Sequence, residues 1–119
     1  MKKLVVEKDK LKNNIEIIKE KAKNGGSDTT IIAVLKGNGY GLGILELGSF
    51  LLDNGIDFFA VSELEEAVQL RRNGFENRIL LLSSTSILEE VEKIVEYNII
   101  PAIGSESAAV AFNRAAKNA

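Results

Sequence analysis

The sequence predicts an α/β fold built on a parallel sheet, and three observations point there. Four apolar, β-rich runs, at 31–35, 58–61, 79–82 and 99–103, alternate with helical patterns. The first run is continuous enough for a strand buried on both faces. The runs begin 27, 21 and 20 residues apart, room for one helix and its loops each time. Strands that alternate with helices run parallel, because each crossover helix returns the chain to the same end of the sheet.

The elements follow in order. Leu4 to Glu7 reads as a short strand. Leu11, Ile15, Ile18 and Ala22 then recur at helical spacing and form an apolar stripe among Lys, Asn and Glu. Asn24-Gly25-Gly26-Ser27 ends that helix with residues that tolerate turns. Ile31–Leu35 is the first strand of the repeating unit, and 37–43 is a loop. Ile44, Leu47, Leu51 and Leu52 mark a helix closing at Asn54-Gly55. Phe58–Val61 is the second strand; Ser62 and Glu65 have the spacing of a capping box, and that helix runs to Gly74. Ile79–Leu82 is the third strand, and Ser86 with Glu89 repeats the box before a helix ending near Asn98. Ile99–Ile103 is the fourth. Its Pro101 cannot donate to a ladder, which argues against a central place in the sheet. Ser105 caps a last helix carrying Ala108, Ala109 and Phe112.

Two architectures use this unit, an open doubly wound sheet and a closed (β/α)₈ barrel. A whole barrel takes about 250 residues. This chain has 119 and reads as about four βα units, so it looks like half of a larger body. In both architectures ligands bind at the carboxyl ends of the strands. Lys36, Ser62, Ser83 and Gly104 occupy those ends and should share one rim; Lys36 is the ionisable one.

Composition narrows the chemistry. The chain has 15 basic and 17 acidic residues, net −2, mixed along its length, which argues against a nucleic-acid partner. It has no cysteine and no histidine, which removes thiol catalysis, thiolate metal sites and the usual neutral-pH base. No metal site is expected. No apolar run approaches the ~20 residues of a membrane helix, and Leu4-Val5-Val6 is too brief for a signal-peptide core. The expectation is a soluble, cytoplasmic protein with no membrane partner.

Ala33-Val34-Leu35-Lys36-Gly37-Asn38-Gly39-Tyr40-Gly41-Leu42-Gly43 is the most informative stretch. Its glycines fail the dinucleotide fingerprint in every register, and its lysine precedes them, unlike that of a phosphate-binding loop. An amine at the end of an apolar strand loses solvation, which lowers its pKa and favours Schiff-base chemistry with a carbonyl. Alternating glycines let backbone approach a bulky group, and the Tyr40 hydroxyl can bond a phosphate or hydroxyl of that group. Composition alone slightly favours the plainer alternative, a solvated lysine beside a flexible turn. Three acids, Glu63, Glu65 and Glu66, fall in the first turn of a helix, where capping is the simplest reading. Ser83-Ser84-Thr85-Ser86 suggests an anion cup or a helix cap.

The eleven residues from Ala33 resemble the cofactor-lysine segment of the alanine racemase family, typically A-V-V-K-A-N-A-Y-G-H-G. The resemblance extends through Phe59-Ala60-Val61-Ser62, Glu65-Glu66-Ala67, Leu70-Arg71, Gly74 and Ile79–Leu82, and Asp9, Leu11 and Asn14 are similar to the family's D-x-L-x-x-N. It covers nearly the whole chain. Gly37 and Gly39 depart from alanine, and Leu42 from histidine.

The resemblance implies a partial (β/α)₈ TIM barrel, with 1–119 as its N-terminal half and the family's C-terminal β domain absent. It implies pyridoxal 5′-phosphate (PLP) on Lys36, a phosphate contact from Tyr40, and Leu82 packing against the cofactor. Lys36 would also be one of two bases at a small amino-acid substrate, most simply alanine. The second base, a tyrosine of a partner subunit, and the groups of later strands would lie elsewhere. Residues 1–119 alone are therefore expected to be inactive, and the parent a homo-oligomer, a dimer. Racemases of serine carry similar segments, and non-catalytic PLP-homeostasis barrels use a similar lysine on a similar barrel without the Gly-Tyr-Gly run; both stay open as alternatives.

Overall fold

The computed structural model describes residues 5–24 and 29–119. Helix α1 spans Lys8–Asn24. Strand β1, Ala33–Val34, leads into a short helical segment α2, Lys36–Tyr40, and then helix α3, Ile44–Asp53. Strand β2 (Phe58–Val61), α4 (Leu64–Arg72), β3 (Arg78–Leu81), α5 (Leu88–Glu96), β4 (Ile100–Pro101) and α6 (Glu106–Asn118) complete the alternation.

All strand pairs are parallel, in the order β1-β2-β3-β4. This order decides between the two architectures. A doubly wound sheet reverses its order to place helices on both faces, whereas a barrel adds each strand beside the last. The sheet is an open arc of a (β/α)₈ barrel.

Register sorts the side chains by face. Val34, Ala60, Leu80 and Ile100 pair in one row across all four strands. The flanking positions Leu35, Phe59, Val61, Ile79 and Leu81 are buried in the main core with Leu51, Leu70, Val91, Ile94 and Phe112 from the helices. Alternation along each strand thus gives one face to the helices and the other to the row through Ala60. Val34 and Ile100, at the ends of that row, are each 38% exposed. Gly48 of α3 lets this helix approach the Phe59–Phe75 ring pair, whose centroids are 6.1 Å apart.

Arg71, at the end of α4, ties the opposite ends of the strands together. It donates to the carbonyls of Phe75 (2.8 Å), Asn77 (2.7 Å), Tyr97 (2.8 Å) and Asn98 (2.9 Å). Burial lowers its pKa, partly opposed by the nearby Glu76, and a guanidinium stays charged at neutral pH regardless.

Several expectations shift. Residues 5–7 form no strand, and Leu4 lies outside the described residues, as do Gly25 to Ser27 of the expected helix terminator. In α1, Ile15 is buried but Ile18 is 52% exposed, because the helix meets the body along Leu11 and Ile15. Lys19 on that side donates to the Asn54 carbonyl. The first and fourth strands shorten to two residues each. Pro101 lies in β4, which pairs with β3 on one side. The first capping box slides by one residue, and the second does not form. Glu63 caps α4 with Glu66. At α5, Thr85 Oγ1 accepts the Ile87 N–H (3.1 Å) and donates to Glu90 (2.7 Å). Ser105 caps α6 through the Ala108 N–H, at 3.1 Å.

Candidate active site

The carboxyl rim is stitched strand to strand. Leu35 N–H donates to Ala60 O (2.8 Å) and Leu82 N–H to Val61 O (2.8 Å), so the pairing runs one residue past β1 and β3. Ser83 Oγ donates to Ser62 O (2.8 Å), and Ser84 Oγ accepts the Gly104 N–H (2.9 Å). These bonds commit Ser83 and Ser84 to holding the rim together, and Thr85 is tied to Ile87 and Glu90 at the start of α5, rather than to an anion cup.

Continuing the register makes positions 36, 62 and 82 level across the first three strands. Lys36 is exposed there, and Leu82 is 44% exposed. The apolar enclosure expected around the lysine amine is not supplied by the described residues. Lys36 stands on an open rim.

The loop after Lys36 is not a flexible turn. Gly37, Asn38, Gly39 and Tyr40 have φ of 65°, 54°, 67° and 56°, one left-handed turn. Gly41 N–H donates to Gly37 O (2.9 Å), and Gly43 N–H to Asn38 O (3.0 Å). Left-handed backbone costs an L-residue roughly 1–2 kcal/mol. Glycine escapes that cost at 37 and 39, and asparagine is among the side chains that bear it best. The turn presents Tyr40 outward, 64% exposed. It is pinned by Asn38, whose Oδ1 accepts the Ile44 N–H at 2.9 Å and so starts α3. Leu42 lines an apolar cleft with Val6, Leu11, Leu47 and Phe50, which explains an apolar residue at that position.

A cavity of about 670 Å³ lies elsewhere, a polar groove between α4 and α5 lined by Glu65, Arg72, Glu89 and Lys93 among others. Its charges are those of two solvated helix surfaces. Tyr97 faces outward too: its hydroxyl accepts from Arg72 Nε at 3.1 Å. Among the described residues no cluster of three or more His, Cys, Asp or Glu suits a metal ion, and no helix is long and apolar enough to cross a membrane.

Residues 6–119 match the family model for the alanine racemase N-terminal domain. The chain belongs to the alanine racemase family. It is similar to the alanine racemase of Haemophilus influenzae, 40% identical over 105 residues, covering 88% of this chain and 28% of that protein. It is 37% identical over 86 residues to the serine/alanine racemase of Enterococcus gallinarum, covering 72% of this chain and 12% of that protein. The solved alanine racemase of Clostridium difficile 630 in complex with cycloserine superposes with a TM-score of 0.77 at 30% identity, over 89% of this chain and 29% of that one. The chain thus spans less than a third of each of these relatives. Its arc of four βα units is the part of an alanine racemase-like barrel that it shares with them.

One residue escaped the sequence reading. The place of Glu66 in the first turn of α4 points to capping alone, yet its Oε2 also accepts the Asn38 N–H, at 3.1 Å. The two residues are 28 apart in sequence, so no local pattern could have joined them.

Proposed function

We propose that residues 1–119 form the N-terminal half of the barrel of a PLP-dependent amino-acid racemase, with Lys36 as the cofactor-binding residue. The observation that carries this reading is an exposed lysine at the carboxyl rim, beside an ordered left-handed turn, in an alanine racemase-like arc. The residues fit the group. Nothing lies within 4 Å of where a Cβ would stand on Gly37 or Gly41, so the turn's backbone borders open space. Tyr40 and Leu82 are both exposed.

PLP, when bound, withdraws electrons from the substrate α-carbon and so acidifies its proton. Lys36 Nζ would hold the cofactor, the Tyr40 hydroxyl would bind its phosphate, and Leu82 would cover it with an apolar side chain. The Lys36 amine would also serve as the base for the α-proton on one face. Tyr97 is engaged with Arg72 on the outer surface, so the second base belongs to the remainder of a longer parent and its partner subunit. The isolated chain is inactive on this reading. The parent interconverts L- and D-alanine in the cytoplasm, supplying D-alanine for the cell wall, and works as a homodimer. Likeness to a serine/alanine racemase favours serine as the second candidate substrate.

The test is to add PLP to the 119-residue chain, reduce with borohydride and map the pyridoxyl group by mass spectrometry. A single adduct on Lys36, absent in Lys36→Ala, is the expected result; labelling spread over surface lysines overturns it. Amino-acid turnover by the parent, with alanine and serine compared, separates a racemase from a non-catalytic PLP carrier.

A further inference from the structure

We propose that Glu66 is a positioning residue for the lysine loop: its carboxylate clamps the left-handed turn between Lys36 and Tyr40 to the start of α4. The two oxygens divide the work. Oε1 accepts the Glu63 N–H at 3.1 Å and lies 3.4 Å from the Ser62 hydroxyl, while Oε2 accepts the Asn38 N–H at 3.1 Å. Asn38 is midway between Lys36 and Tyr40. Its own side chain bonds the first residue of α3, so the turn is tied to α3 on one side and to α4 on the other.

A turn with glycine at 37, 39, 41 and 43 has little conformational preference of its own, since glycine loses the most freedom on ordering. Its single left-handed form needs outside bonds to persist. An ionised carboxylate suits this task, because it accepts on both oxygens and its bonds to N–H groups are charge-assisted. The clamp spans the β1 and β2 rim loops and so fixes the lysine relative to the neighbouring strand. Its consequence for cofactor binding rests on the function proposed above; the clamp itself does not.

Glu66→Gln separates this role from helix capping. Glutamine serves a capping box as well as glutamate does. With its one oxygen facing the two donors at Ser62 and Glu63, its NH₂ meets the Asn38 N–H, donor against donor. Amide hydrogen exchange read by NMR on the 119-residue chain should show Asn38 losing about tenfold in protection, with Glu63 and the melting temperature unchanged. Pyridoxyl labelling of Lys36 should fall several-fold, and Glu65→Gln, one position away, should leave both readouts as they were. Unchanged Asn38 protection overturns the clamp, and so does equal loss at Asn38 and Glu63 with a lowered melting temperature, which is a cap alone. If the variant does not fold, a scalar coupling across the hydrogen bond from Asn38 nitrogen to the Glu66 carboxyl carbon, sought in the unsubstituted chain, decides the matter: its presence supports the clamp and its absence overturns it. A chain that takes up no PLP on Lys36 sinks the functional reading, while Asn38 exchange still judges the clamp.

Discussion

Asn38 bears more of the loop than any other side chain in it. It holds φ of 54° without being glycine, accepts the Ile44 N–H through Oδ1, and gives its own N–H to Glu66. Alanine at this position would lose the bond that starts α3, worth about 1 kcal/mol for such caps. It would also tolerate left-handed backbone less well. Asn38→Ala should therefore cost about 1–2 kcal/mol, read as a lower denaturant midpoint; an unchanged midpoint would show that the turn does not need its asparagine. The side chains flanking it, Lys36 and Tyr40, are exposed and contribute little to folding, which leaves them free for chemistry. Lys36 itself was legible from its neighbours in sequence. Glu66 was not, because its second bond is made across 28 residues.

At the level of elements, α3 depends on a missing side chain. A Cβ on Gly48 would lie 2.9 Å from Phe75 Cε1 and 3.1 Å from its Cζ, against a buried ring pair with Phe59. Alanine gains roughly 0.5–1 kcal/mol in helix propensity. Overpacking a close contact costs about 1–3 kcal/mol. The second effect wins, and Gly48→Ala should lower thermal stability by about 1 kcal/mol; a rise in melting temperature would mean that Phe75 gives way freely. The order of the five longer helices followed from apolar periodicity and from turn and cap signals, whereas α2 lies where a loop was expected. The capping residues themselves and the strand ends did not follow. Ser62 and Ser86 have the right spacing for boxes, but Glu63 takes the task at α4, and α5 starts after Ile87 without a side-chain cap.

The whole molecule is a slab rather than a ball. It measures 45 × 44 × 22 Å with a radius of gyration of 16.2 Å, against about 13–14 Å for a compact chain of this length. The sheet carries its helices on one face and leaves Val34, Leu82, Ile100 and Ile103 between 38 and 50% exposed, with β1 and β4 at its two edges among the described residues. Such edges and apolar faces invite pairing. The 119-residue chain should self-associate with rising concentration in sedimentation experiments, and Ile100→Lys should weaken that association. A monomer at every concentration would contradict this. The alternation of strand and helix, the parallel sense of the sheet and the place of Lys36 at a strand end were determined by the sequence, because periodicity and chain reversal are local properties. The alternation left a barrel and a doubly wound sheet both open; the family resemblance implied the barrel and the strand order bears it out. The left-handed turn and the reach of Glu66 to Asn38 were decided only by the tertiary structure. Each depends on which strands lie side by side, and nothing in one segment's own pattern specifies its neighbour.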